Sequence, residues 1–270
     1  MNSKLLACLG IVIAASMAFA STAMGGRSRG NKSSTDSPID PQQPSGRSAL
    51  RQIVQTQCVI NWQQHQNPAP CERVYLADLK NGGSGYAVLA APGGGAHYLL
   101  VPTQTLTGIE SSEMLDPDAP NYFAEAWHAR DILTGFVGHK VPRTAVGLAV
   151  GIAQTRVQDQ FHVHIECLQQ DVLKVLHTSA DSFADVWSPI TVSGSTFQAR
   201  RITSDNLDAT NVFELLATLN PDARHHIGNY TLVVAGMQFK SGPGFVMLTG
   251  TGPSGEILLD SSCAVAGPGD

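Results

Sequence analysis

The chain has 270 residues, of which 43% are hydrophobic and only 14% charged. That composition supplies enough apolar material for one sizeable core and excludes disordered and fibrous classes. The formal charge of −5, with no run of five Lys or Arg, excludes a nucleic-acid partner, which needs a concentrated basic surface. Any phosphate site must therefore be local.

Met1 to Lys4 carries a single Lys, and Leu5 to Ala20 is a run of small and apolar residues. Ala18-Phe19-Ala20 matches an A-x-A cleavage signature, so residues 1–20 read as a cleaved signal peptide or a retained anchor. Residues 21–48 are rich in Gly, Ser, Asn, Asp and Pro without apolar periodicity, which predicts a flexible tether. The folded domain is expected over 49–265. Export implies an oxidising compartment, where the four cysteines beyond Cys8 can pair. Of the three possible connectivities, a local Pro-rich loop favours Cys58–Cys71, which leaves Cys167–Cys263. Free buried thiols are the alternative.

Leu50, Ile53, Val54 and Cys58 have helical spacing, predicting a helix from Ala49 to Cys58. Gly85–Leu89 and His97–Val101 predict two antiparallel strands around the Gly-rich stretch Gly93-Gly94-Gly95. A helix is expected over Asn121–Val137, behind Pro120. Thr144–Ala153 and Gln160–Leu168 predict a second strand pair, followed by a short helix over Asp171–His177. Asn211–Leu219 reads as helix, and Tyr230–Phe239 with Phe245–Gly250 as a hairpin. This last hairpin resembles the one over residues 85–101, suggesting a degenerate internal repeat with the chemistry kept in the first copy.

The chemistry-bearing segment is Gln160-Phe161-His162-Val163-His164-Ile165-Glu166-Cys167. On a strand, Gln160, His162, His164 and Glu166 share one face, while Phe161, Val163, Ile165 and Cys167 share the other. A lone strand His is ordinarily structural; two at i and i+2 beside strict apolar alternation point to a site. A metal site built from His162, His164 and Cys167 is disfavoured because Cys167 points to the opposite face. Glu166 as a substitute ligand lies about 7 Å along an extended strand. A nonspecific anion-binding face is a second reading. The third is nucleophilic catalysis at phosphorus by a neutral imidazole, with a second imidazole donating hydrogen bonds to phosphoryl oxygens.

Gln160-x-His162-x-His164 with apolar residues between resembles the histidine-triad motif His-x-His-x-His. The family's nucleophile falls on His162 and its last His on His164, while Gln160 replaces the first. His97-Tyr98-Leu99-Leu100-Val101-Pro102 resembles the family's strand that ends in Pro, although Thr103 stands where a Lys is usual. More specifically, the chain is similar to the CDP-diacylglycerol pyrophosphatases from about residue 50 to 263. The similarity runs through Cys58 and Pro70-Cys71, Tyr98 to Pro102 and Thr107-Gly108-Ile109-Glu110-Ser111. It continues through Ala126-Trp127-His128-Ala129-Arg130, His162 to Cys167, Ala199-Arg200-Arg201 and Cys263.

The resemblance implies an α+β fold of the histidine-triad type, an antiparallel sheet with flanking helices. It implies cleavage of CDP-diacylglycerol to CMP and phosphatidate at an extracytoplasmic membrane surface, periplasmic or attached to the inner membrane. His162 would be the nucleophile and His164 and Gln160 would position oxygens. His97, Arg130, Arg156, Arg200 and Arg201 are the candidate substrate-binding residues. No metal or cofactor is implied. Hydrolysis or transfer of a soluble nucleotide is the nearest alternative reaction, and secreted metal or nucleotide binding without turnover the alternative class.

Overall fold

A computed structural model describes residues 46–76, 85–116 and 118–267. The expected signal peptide and most of the tether fall outside them. The tether's last residues, Gly46–Ser48, form a 3-10 turn, where the Arg47 guanidinium meets both Asp159 carboxylate oxygens at 2.6 and 2.7 Å.

The first helix runs on beyond Cys58. It comprises α1 (Ala49–Gln52), a π-turn (Ile53–Cys58) and α2 (Val59–His65), and it buries Leu50, Val54 and Cys58 on one stripe. A Cys58–Cys71 disulfide ties its middle to the chain just ahead of β1 (Arg73–Tyr75). The next strands are β2 (Tyr86–Ala90) and β3 (Tyr98–Pro102), the expected hairpin, whose turn holds Gly93, Gly94 and Gly95 at positive φ. Such backbone suits only residues without a Cβ.

The expected helix Asn121–Val137 is two helices, α3 (Tyr122–Ala129) and α4 (Ile132–Val137). At the break the Arg130 side chain folds back, donating to the Trp127 carbonyl and lying 4.2 Å over its ring. The ladder of β4 (Val146–Val150) and β5 (Val163–Leu168) forms as expected, but β5 starts three residues later than the alternation predicts. The backbone of 159–162 is engaged elsewhere: Asp159 N–H donates to the Arg47 carbonyl and Phe161 N–H to that of Leu106. Then follow α5 (Gln170–Thr178), β6 (Ser188–Val192), β7 (Ser195–Ile202), α6 (Val212–Ala217) and α7 (Pro221–His225). β8 (Thr231–Phe239), β9 (Gly242–Gly250) and the short β10 (Leu259–Asp260) complete the fold.

The described strands form one sheet in the order β1-β2-β3-β5-β4-β8-β9-β7-β6, with antiparallel neighbours, and β10 pairs with β5 beyond the end of β3. The chain is thus α+β. Read inward from its two ends, the sheet repeats itself: β2-β3-β5-β4 on one side and β6-β7-β9-β8 on the other. Each half has a hairpin, a helix capped by an Asn side chain (Asn121, Asn211) and a second hairpin. The repeat is present in topology, but the expected match between hairpins is wrong. The Tyr230–Gly250 hairpin corresponds to β4–β5, not to β2–β3, because β4 and β8 pair at the centre.

Both crossover helices lie on one face, where Trp127, Phe123, Leu133 and Phe213 pack on Leu100, Leu148, Ile165 and Met247. On the other face, α5 covers Ala149, Val233, Val246 and Leu248, while the first helix covers Ala87, Leu89, Leu99 and Val101. β5 lies between those two patches, and its polar side chains fill the gap. The β9 residues on that same face are Val246 and Leu248, so the second half carries no imidazoles there. Cys167 points to the opposite face and bonds Cys263. Both bridges follow the favoured connectivity and suit an oxidising, exported environment. Among the described residues no helix is long and apolar enough to cross a membrane.

Candidate active site

His162 and His164 open on a cavity of about 120 Å³, whose polar wall includes Glu110, Arg156, Gln160 and Glu256. Gly108 and Gly151 shape it: a Cβ on Gly151 would stand 2.6 Å from Glu256 Oε1, and one on Gly108 would strike Arg156 and Glu110.

His162 Nδ1 lies 2.7 Å from the Gln160 carbonyl oxygen. A carbonyl only accepts, so Nδ1 carries the proton and Nε2 keeps its lone pair. Burial, helped by nearby His164, lowers the His162 pKa to about 4. The ring is neutral across the physiological range. The Gln160 side chain does something separate: its amide donates to the Pro102 carbonyl at 3.1 Å and to the Gln104 carbonyl at 2.8 Å, bracing the turn after β3. Its backbone orients His162 while its side chain fixes the adjoining loop.

His164 is 7% exposed and Glu166 6%. The polar face expected to line an open site is therefore largely buried, and burial lowers the pKa of His164 and of His97. His97 precedes β3, whose Leu99 stands opposite His164 in register. That places His97 Nε2 at 2.9 Å from His164 Nδ1 and 3.2 Å from Glu166 Oε1. His164 Nδ1 and Glu166 Oε1 are 3.6 Å apart, because two side chains on one face lean together across the spacing of their backbones. Burial is the chief cause raising the Glu166 pKa to about 7; His97 opposes it, and Glu256 and Asp260 reinforce it. His164 Nε2 makes no hydrogen bond among the described residues and sits 3.4 Å from Glu256 Oε1.

Of the five candidate substrate-binding residues, His97 backs His164 and Arg156 lines the cavity, held by Glu110 and by Asp159 at 3.3 Å. The other three stand elsewhere. Arg130 lies over Trp127, on the helix-covered face. Arg200 and Arg201 are on β7, four strands from β5, near Trp187 and Asp185. Trp127 is a core residue, edge-on to Phe245. Glu256 was invisible to sequence reasoning, because a 3-10 turn (Gly255–Leu258) with no motif of its own brings it to the cavity. Glu110 lay within a matched segment without an assigned role.

A neutral imidazole with a free lone pair, a second imidazole nitrogen beside it and an arginine on the same wall are groups with the chemistry to serve a phosphoryl centre. The class is that of a phosphoanhydride hydrolase on an antiparallel α+β scaffold. A family model described as CDP-diacylglycerol pyrophosphatase matches residues 45–267, and the chain belongs to that family. It is a hydrolase of the CDP-diacylglycerol pyrophosphate bond.

Proposed function

We propose that hydrolysis runs through a covalent nucleotidyl intermediate on His162, on a scaffold of the histidine-triad type. The Gln160 carbonyl on His162 Nδ1 carries this reading, because it reserves Nε2 for phosphorus. Nε2 attacks the phosphorus on the cytidine side. The N–P bond forms, the bridging P–O bond breaks, and phosphatidate leaves with the electron pair. As a phosphomonoester with a second pKa of about 6, it needs no proton at neutral pH. Water then attacks the same phosphorus, the P–N bond breaks, CMP departs and Glu256 takes the proton that water loses. His164 Nε2–H and Arg156 hold the phosphoryl oxygens, where charge accumulates in both steps.

A cavity of about 120 Å³ is far below the roughly 300–1,000 Å³ that encloses a drug-sized ligand. On this reading the cavity takes the reacting phosphates, and the acyl chains stay outside it, at the membrane. Val157, on the cavity wall and 73% exposed, suits contact with that surface. Together with the disulfides, this supports action on the extracytoplasmic side.

Turnover in ¹⁸O-labelled water tests the direction of attack. Label is expected in CMP, and a denaturing alkaline quench, which preserves the N–P bond, should trap a cytidylyl group on the peptide bearing His162. Label in phosphatidate would place the attack on the other phosphorus and remove the mechanism. A chelator should leave CMP release unchanged, since no step runs through a metal.

The pH profile follows from the His162 pKa. As pH falls through about 4, His162 gains a proton and loses its lone pair, so kcat/KM should stay level to below pH 6 and drop near pH 4. An acid limb at 6–7, where free imidazole titrates, would contradict a buried neutral nucleophile. Arg156→Ala should lower kcat/KM by about 10- to 100-fold, the loss of one charged contact to the reacting phosphates. Arg200→Ala should stay within about twofold, as expected of a residue four strands away. Equal losses in both would mean that the substrate reaches beyond the cavity.

A further inference from the structure

Behind His164, on the side away from the cavity, His97 and Glu166 complete a second cluster that the proposed reaction does not use. Neither lines the cavity. His97 Nε2, His164 Nδ1 and Glu166 Oε1 are separated by 2.9, 3.2 and 3.6 Å. The circle through these three atoms has a radius of about 1.9 Å, so an ion slightly out of their plane would sit about 2.0–2.1 Å from each, the length of bonds from Zn²⁺ to imidazole and carboxylate. The edges of such a tetrahedron are about 3.3 Å, close to the three separations observed.

We propose that His97, His164 and Glu166 are three ligands of a site for a divalent first-row transition ion, with Zn²⁺ as the tetrahedral fit. Two imidazoles and one carboxylate are the donor set such ions favour over Mg²⁺ or Ca²⁺. The charge balance agrees. Glu166 is 6% exposed, and its carboxylate oxygen lies 3.2 and 3.6 Å from the two imidazole nitrogens. A dication would balance that buried carboxylate. His97 is the most exposed of the three, at 23%, which leaves a route for the ion and for water as the fourth ligand. The ion would take the His164 nitrogen that faces His97, leaving Nε2 with its hydrogen on the cavity side. Occupancy is thus compatible with the His162 mechanism.

Metal-stripped protein titrated with Co²⁺ tests the site by its visible absorption, without any activity measurement. One equivalent with the intense bands of tetrahedral cobalt, displaced by Zn²⁺, is expected. His97→Ala and Glu166→Gln should each weaken Co²⁺ binding by more than about 100-fold, above what the loss of a merely supporting partner costs. Folding of each variant is checked by its thermal transition, and Glu166→Gln, being isosteric, keeps the packing. His162→Ala should bind Co²⁺ as the parent does. Absence of stoichiometric tetrahedral binding in the parent protein, or binding that survives in both ligand variants, would overturn the proposal. Both results read binding alone, so failure here is distinct from failure of the nucleophile.

Discussion

CMP release from CDP-diacylglycerol in detergent micelles is expected to fall by about 10⁴-fold or more in His162→Ala, with and without EDTA. Losing the covalent nucleophile removes the route itself, and what survives is the rate that binding and hydrogen bonding alone provide. The structural cost is small by comparison. His162 hydrogen-bonds the Gln160 carbonyl, and leaving that acceptor unpaired costs about 1–3 kcal/mol. The variant should therefore melt as a folded protein while losing turnover. His164→Ala should cost less, about 10²- to 10³-fold, as expected for one donor to the reacting oxygens. Added imidazole should restore part of the rate to a His162→Gly variant, because removing the side chain leaves a ring-sized space facing the phosphate. His162→Ala retaining activity within tenfold of the parent would end the nucleophile assignment, whatever the substrate.

The part of the site that was legible lies on a single stretch of chain. His164 and Glu166 share a face because strand geometry alternates, an inference that needs no tertiary information, and His162, just ahead of β5, still opens on the cavity beside His164. The exclusion of Cys167 from their face holds for the same reason, and its side chain bridges to Cys263 on the opposite side. What alternation could not supply was the neighbouring strand. His97 reaches His164 only because β3 pairs with β5 in a register that sets Leu99 opposite His164. Glu256 arrives from a turn almost a hundred residues downstream. The repeat was misaligned for a related reason. A Tyr at a strand start and a Gly-rich turn recur in any hairpin, whereas the true correspondence is set by the central pairing of β4 with β8, which carries no local signature. Of the four arginines, Arg156 reaches the cavity and three stand away from it, because charge alone does not say where a side chain stands. Arg130 bends back over Trp127, and Arg200 and Arg201 sit on the far half of the sheet.

Removing the Cys167–Cys263 bridge by the double change Cys167→Ala and Cys263→Ala should lower stability by about 4–5 kcal/mol, against about 3 kcal/mol for Cys58→Ala with Cys71→Ala. The difference comes from the unfolded chain. One bridge closes a sequence separation of 96 residues and the other a separation of 13, and the entropy withheld from the unfolded state grows with the logarithm of loop length. Urea titration of the two double variants measures the order directly. The long bridge also reaches the site. Cys167 follows Glu166 on β5 and pairs in register with Asp260 of β10, and the Ser261 carbonyl accepts from the N–H of Ala96, next to His97. Freeing Cys263 therefore loosens the edge that sets His97 against His164. Residual activity should drop in the Cys167/Cys263 variant under conditions where it is still folded, and should be retained in the folded Cys58/Cys71 variant, whose bridge staples the first helix to β1. If the Cys58/Cys71 variant were the less stable of the two, loop entropy would not be what these bridges contribute. Local packing around the first helix would then outweigh it.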